Sequence, residues 1–301
     1  MQRCYSESHR IGHSLHDPLT LFQFMMLLAV TLSGKFVPDT CTKGPGDWNP
    51  IGSAEALSAF CGIFAGFVFS GVVMVIGQKN PAGGDGHASR GLRLLLPSFF
   101  GLAIAAYLYA LTSGELVCKR ALVEQLFAGA ILAADAAVVI TGLAWLLLAY
   151  ERNAHGEVRF FRGLILVAAI FVMLMLAVSS VAFHNTWTER TASSVADWVV
   201  WGTFAVLVAV VVLLWHKPVP PAPSGAPANW SYEHYLNRHV NVSAWLTLIV
   251  SAVLATASAY VVGVPYDELN LPIGLVYAMS EAALVVPALI ILGAMRAVPR
   301  A

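Results

Sequence analysis

Two acidic residues, Asp135 and Glu281, interrupt long apolar stretches of the sequence. Each lies about midway along its stretch, which covers residues 122–150 for the first and 270–295 for the second. If those stretches cross a bilayer, a charge at that depth costs roughly 2.5–3.5 kcal/mol on insertion scales. Such carboxyl groups normally face a bundle interior or a wet cavity, where the neutral form is favoured. Both positions are therefore candidates for exchanging a proton or binding a cation. A neutral carboxyl that only hydrogen-bonds another helix explains the pattern equally well.

Glu55 and Asp197 are secondary candidates for ion coupling. They stand at the beginning of the apolar stretches 52–77 and 193–215. An acid in the first turn of a helix also interacts favourably with the helix dipole. Capping is therefore the favoured interpretation of both acids, ahead of a role in admitting ions.

The four cysteines are too few for a disulfide scaffold. Cys41 and Cys118 lie in polar connections, whereas Cys61 lies inside an apolar stretch. The topology derived below puts the first two on the outer side, where disulfides form in bacteria and in the secretory pathway. We therefore predict a Cys41–Cys118 disulfide; two free thiols that share a face are the alternative.

The nine histidines raise the question of a metal or haem site. A membrane-embedded haem needs axial ligands at matching depth on facing helices. No His-Glu-x-x-His or Cys-x-x-Cys spacing occurs. Four histidines fall at the ends of apolar stretches: His184, His216, His234 and His239. We expect these histidines to be interfacial and solvated, and we expect no metal and no cofactor. No nucleophile–base pattern is visible, so the sequence favours no catalytic centre and leaves an intramembrane enzyme as the weakest hypothesis.

Composition predicts which elements carry these residues. Of the 301 residues, 58% are hydrophobic and 11% are charged, whereas soluble domains carry roughly 25% charged residues. The formal net charge is zero, so nothing indicates a nucleic-acid partner. The sequence therefore predicts a protein whose solvent is a lipid bilayer.

A membrane-spanning helix needs about 20 apolar residues. We predict an all-α, polytopic transmembrane bundle of about eight spans, forming a single integral membrane domain over 1–301. The predicted spans are 18–36, 52–77, 92–113, 122–150, 160–184, 193–215, 240–264 and 270–295. Arg3 and Arg10 before the first span are also typical of a secretory signal peptide. No clean cleavage site follows, which favours an uncleaved span; cleavage would leave seven.

The orientation follows from the positions of lysine and arginine, which are concentrated on the cytoplasmic side of membrane proteins. With the N-terminus inside, twelve of the 17 basic residues lie on inner segments and five on outer ones. We therefore expect a multi-pass protein of the plasma membrane, in bacteria the inner membrane, with both termini in the cytoplasm. Residues 216–239 between spans six and seven are proline-rich and are predicted to form a cytoplasmic linker.

Two further patterns concern helix packing. Gly62, Gly66 and Ser70 form a small-xxx-small face, which allows close approach of another helix or of a second copy. The residues after Asp135 resemble those after Glu281, which agrees with a repeat of four plus four spans over about 18–150 and 160–295. Apolar sequences also match by chance.

Two function classes fit these observations. The first is a permease or channel-like protein for protons, a cation or a small solute, with the intramembrane carboxyls as coupling sites. The alternative is a non-catalytic anchor or assembly subunit of a larger, for example respiratory, membrane complex. A homo-oligomer fits either class. A stoichiometric partner that co-purifies would favour the second class.

Overall fold

The long apolar stretches form helices, because a helix is one of the few structures that satisfies its backbone polar groups without water. The computed structural model describes residues 49–77, 85–150, 155–187, 195–216, 232–264 and 271–298. Over these residues the chain forms seven helices, each long and apolar enough to cross a membrane. They are α1 Pro50–Gly77, α2 Asp85–Ser113, α3 Cys118–Tyr150, α4 His155–Trp187, α5 Val195–His216, α6 Tyr232–Gly263 and α7 Ile273–Ala297. The predicted all-helical membrane bundle is confirmed. The first predicted span, 18–36, lies outside the described residues.

Several helices extend beyond the predicted spans at their polar ends. Helix α2 begins at Asp85 instead of residue 92, and α6 begins at Tyr232 instead of residue 240. The last part of the predicted linker, 232–239, is therefore helical. Hydropathy detects only the part of a helix that contacts lipid, whereas the helical hydrogen bonds continue into the polar interface.

A polar network joins the helix ends on the predicted inner side and explains these extensions. The buried Arg90 of α2 donates from Nε to Asn237 Oδ1 of α6 at 2.8 Å, and its Nη2 lies 3.4 Å from Glu233 Oε2. Its guanidinium group also lies over the Trp145 ring of α3, 4.9 Å from the centroid. Trp145 Nε1 in turn donates to the Ala297 carbonyl of α7 at 3.0 Å. Four helices are thus tied together at one end of the bundle.

Helix α3 lies at the centre of the described bundle. It packs against α1, α2, α4, α6 and α7, whereas α5 is peripheral and packs on α4 and α7. Most of the apolar length of α3 is buried inside the protein. A polar side chain on α3 therefore faces protein rather than lipid.

Two glycines bring α2 and α3 into close contact. A Cβ atom at Gly91 would lie 2.6 Å from Cδ2 of Leu146, and one at Gly142 would lie 2.8 Å from Cδ2 of Leu95. Larger residues at either position would push the helices apart. This contact sets the backbone of α2 directly against the C-terminal third of α3.

The outward faces of the helices carry large apolar side chains. Phe67 of α1, Trp198 of α5 and Tyr260 of α6 are each more than 70% exposed. An apolar surface of this extent would be unfavourable in water. It matches a bundle surrounded by lipid.

Candidate proton-binding site

Asp135 lies near the midpoint of α3 and is fully buried, with 0% exposure. Neither Oδ1 nor Oδ2 has a hydrogen-bond partner among the described residues. Buried polar groups in proteins are nearly always hydrogen-bonded, and an exception needs an explanation such as a bound ion, a bound water or a functional role. The structure thus places this predicted site residue in the bundle interior.

The carboxyl group of Asp135 is accommodated by a glycine of α2. A Cβ atom at Gly101 would lie only 2.7 Å from Cγ and Oδ1 of Asp135, and it would overlap Oδ2. Any side chain at position 101 would therefore collide with the carboxyl group. The close α2–α3 contact described above and the missing side chain at Gly101 together create the space that Asp135 fills.

Two weak acids from other helices lie on the same side of α3. Cys61 of α1 is a free, fully buried thiol within electrostatic range of Asp135. Tyr109 of α2 is 3% exposed and lies within electrostatic range of Cys61. Both pack in one cluster with Ala128 and Ile131 of α3. The Cys61 thiol is therefore the titratable group nearest to Asp135 in this cluster, and the cluster contains no positively charged side chain.

The second predicted site residue, Glu281, lies elsewhere. It is half-buried on α7, about 6 Å along the axis from the middle of that helix, and its Oε1 has no hydrogen-bond partner among the described residues. It shares a helix face with Tyr277, whose ring lies 4.6 Å from the His184 ring of α4. Its near neighbour in sequence, Leu284, packs in a cluster with Val200 of α5. Asp135 faces α1 and α2, so the two acids do not form one carboxyl pair.

The secondary candidates separate into one exposed acid and one buried acid. Glu55 is exposed and lies in the second turn of α1. The cap of that helix is Asn49, whose Oδ1 accepts hydrogen bonds from the amides of Ile51 at 3.0 Å and Gly52 at 3.2 Å. Asp197 is buried and lies in the first turn of α5. The capping interpretation thus fits the position of Asp197 but not that of Glu55.

The expectation of solvated histidines is wrong for His184. It lies in the last turn of α4 and is 1% exposed, packed on Tyr277. Hydropathy placed it at the end of a span, but the neighbouring end of α7 covers it. Among the described residues, no three His, Cys, Asp or Glu side chains are grouped as metal ligands would be.

Two of the four cysteines, Cys61 and Cys118, lie in the described ranges. Within the described ranges no disulfide joins two cysteines, and Cys61 is free. Cys118, the first residue of α3, is not among the free cysteines. Cys41 also lies outside the described residues, so its pairing with Cys118 stays a prediction.

The predicted packing stripe of α1 points away from the described bundle. A Cβ atom at Gly62 or Gly66 would have no neighbour within 4 Å among the described residues. Ser70 is exposed. Close helix packing in the described bundle instead involves other glycines, namely Gly91, Gly101, Gly142 and Gly293. A contact of the α1 stripe with residues outside the described ranges or with a second copy stays a prediction.

Sequence reasoning missed a second buried acid on α3. Glu124 is 1% exposed, and neither of its carboxyl oxygens has a hydrogen-bond partner among the described residues. The adjacent Gln125 is 5% exposed, and its Oε1 also lacks such a partner. Glu124 lies near the predicted outer end of its span, where an acid is ordinary. A signal was present nonetheless, because Glu124 and Asp135 are eleven residues apart and so share a helix face.

The chain matches no protein-family model, no curated protein and no solved structure.

Proposed function

We propose that this multi-pass membrane protein translocates protons, as a permease or channel-like protein, with Asp135 as the group that takes up and releases the proton. The observation that carries the proposal is a fully buried carboxyl, near the middle of the central helix, without a hydrogen-bond partner among the described residues. A carboxyl with a purely structural role is expected to hydrogen-bond a neighbouring helix. An unpartnered carboxyl instead fits a group whose partner, a proton or a water, arrives and leaves.

A proton fits this site better than a metal cation does. Hard cations such as Ca²⁺ and Mg²⁺ take six or more oxygen ligands, and K⁺ filters surround the ion with carbonyl oxygens. The described neighbours of Asp135 supply a thiol and the backbone of Gly101. A neutral carboxyl avoids the cost of a charge at this depth, roughly 2.5–3.5 kcal/mol.

Glu281 enters the proposal as a second, separate carboxyl. Its half-buried position next to the His184–Tyr277 contact suits a group that exchanges protons with the outer side. Asp135 faces α1 and α2, whereas Tyr277, one turn before Glu281, contacts His184 of α4. We therefore expect Glu281→Gln alone to lower the flux without abolishing it.

The proposed location is the plasma membrane, in bacteria the inner membrane, with both termini in the cytoplasm. The distribution of basic residues supports this orientation. Reporter fusions after residues 85, 155 and 225 are expected to indicate cytoplasm, and fusions after 45, 117 and 188 the outside. A fusion after 155 that indicates the outside would invert the topology.

The direct test of the function is proton flux into vesicles that contain the purified protein and an internal pH-sensitive dye. An imposed pH gradient with a clamped potential should produce flux in the wild type and none with Asp135→Asn, which keeps the size of the side chain. Glu55→Gln, which changes an exposed acid, serves as the matched control and should conduct normally. Equal flux in wild type and Asp135→Asn would overturn the proposal. A stoichiometric partner that co-purifies with an inactive wild type would favour the assembly-subunit alternative.

A further inference from the structure

Glu124 and Asp135 lie on one face of α3, at two depths. They are separated by about three helical turns, or about 16 Å along the axis. The residues between them on that face, Ala128 and Ile131, are fully buried against the cluster that contains Tyr109 and Cys61. Both acids therefore face the interface that α3 forms with α1 and α2.

Glu124 does not form a salt bridge with Arg120, the nearest basic residue on its helix. Arg120 lies one turn before it, at the spacing that favours a salt bridge on a helix. Arg120 instead lies 3.4 Å from Glu115 Oε2 and donates from Nη2 to the Val264 carbonyl at 2.9 Å. The nearby Thr112 donates its hydroxyl hydrogen to the Leu108 carbonyl at 2.9 Å. Glu124 is thus 1% exposed beneath an outer ion pair. The Thr112 side chain lies close enough to interact with its carboxyl group, but neither carboxyl oxygen forms a hydrogen bond of good geometry with a described residue.

The hydroxyl of Tyr109 lies at a level along α3 between those of the two acids. Its hydroxyl oxygen is 3.6 Å from the position of a Cβ atom at Gly129. Along α3, Gly129 is about 7 Å from Glu124 and about 9 Å from Asp135. Cys61, within electrostatic range of both Tyr109 and Asp135, lies on the inner part of this interval. Groups that exchange protons therefore occur at intervals from the outer end of α3 to its middle.

We propose that Glu124 is the outer carboxyl of a proton path to Asp135, with the Tyr109 hydroxyl as the intermediate group. This inference rests on the proposed function of Asp135. Each gap exceeds the length of a hydrogen bond, so the proposed path requires water molecules between these groups.

The transfer along the path is balanced in protons. Outer water gives a proton to the Glu124 carboxylate, and the resulting acid passes one proton through water to the Tyr109 oxygen. Tyr109 releases its own hydroxyl proton through water to the Asp135 carboxylate. Glu124 and Tyr109 return to their starting forms, and the net change is one proton moved from the outer phase to Asp135.

The charged and titratable groups around the path come from three helices and one connection. Cys61 lies on α1 and Tyr109 on α2, while Arg120 and Glu124 lie on α3 and Glu115 lies in the connection before it. Arg120 and Glu115 are engaged with each other. Removal of the Glu124 carboxyl should therefore slow proton uptake without breaking a structural ion pair.

The experiment compares Glu124→Gln, Tyr109→Phe, Asp135→Asn and the control Glu55→Gln in the vesicle assay. Positioned proton-transfer groups contribute about 10²–10⁴-fold to rates. We expect a reduction in flux of at least about tenfold for the first two variants, abolished flux for the third and normal flux for the control. Glu124→Asp, which keeps an exchangeable proton, should restore part of the rate lost in Glu124→Gln.

The outcomes separate the two proposals. Wild-type flux in Glu124→Gln with abolished flux in Asp135→Asn would overturn the role of Glu124 and leave the function of Asp135 intact. Wild-type flux in Asp135→Asn would overturn both. If Glu124→Gln does not insert into membranes, Tyr109→Phe decides: reduced flux supports the path, and unchanged flux overturns it.

Discussion

Substitution of Gly101 by alanine should reveal the tight packing around Asp135. Replacing glycine by alanine inside a helix normally stabilises it by roughly 0.5–1 kcal/mol. At position 101 the new Cβ would collide with the Asp135 carboxyl, 2.7 Å from its Cγ, and overpacking in a core costs about 1–3 kcal/mol. We therefore expect Gly101→Ala to be destabilised by about 1–3 kcal/mol relative to Gly62→Ala, whose Cβ meets no described atom within 4 Å.

A second substitution identifies the cause of the loss. In Gly101→Ala/Asp135→Ala the colliding carboxyl is gone, so the double variant should recover stability beyond the sum of the single effects, by about 0.5–3 kcal/mol. The measurement is the free energy of unfolding from denaturant titration of the purified protein in bicelles. Additive effects, or a Gly101→Ala variant as stable as Gly62→Ala, would refute the close contact between Gly101 and Asp135.

Two other predictions test the ends of the bundle. Thiol counting under denaturing, non-reducing conditions should find two free cysteines, because Cys41 and Cys118 are expected to be paired; four free thiols would contradict the pairing. Arg90→Ala should lower the free energy of unfolding by about 1.5–3 kcal/mol, the range for hydrogen bonds to charged groups, since it removes the contacts with Asn237 and Trp145. Arg93 is exposed, so Arg93→Ala should lower the free energy of unfolding by at most about 1 kcal/mol. Equal losses in the two variants would show that the buried network of Arg90 does not stabilise the bundle more than an exposed contact does.

Hydropathy predicted the described spans because lipid forces each apolar stretch into a helix. It could not predict where helices end in the polar interface, as α6 shows, because the stabilising partners of its first turns come from other helices. Hydropathy identified Asp135 as a candidate because this acid lies near the middle of an apolar stretch. It could not locate Gly101, whose role depends on a single close contact across the α2–α3 interface.

The candidate site was likewise predicted only in part from the sequence. Glu124 was missed because an acid near the outer end of a span is ordinary in sequence, and only packing shows that it is buried without a partner. Glu281 was predicted from an apolar context like that of Asp135, yet it lies half-buried on another side of the bundle. Sequence context reports depth along a helix, whereas the direction of a side chain and its neighbours depends on tertiary packing.

The central claim is that Asp135 takes up and releases a proton, and infrared difference spectroscopy of the membrane-embedded protein tests it most directly. The carbonyl stretch of a protonated carboxyl appears in a region with few other protein bands, and it is absent from an amide variant. We expect a band that changes when the pH of the surrounding medium is changed, and that is missing from Asp135→Asn but present in Glu55→Gln. A spectrum of Asp135→Asn identical to that of the wild type at every pH would contradict the claim.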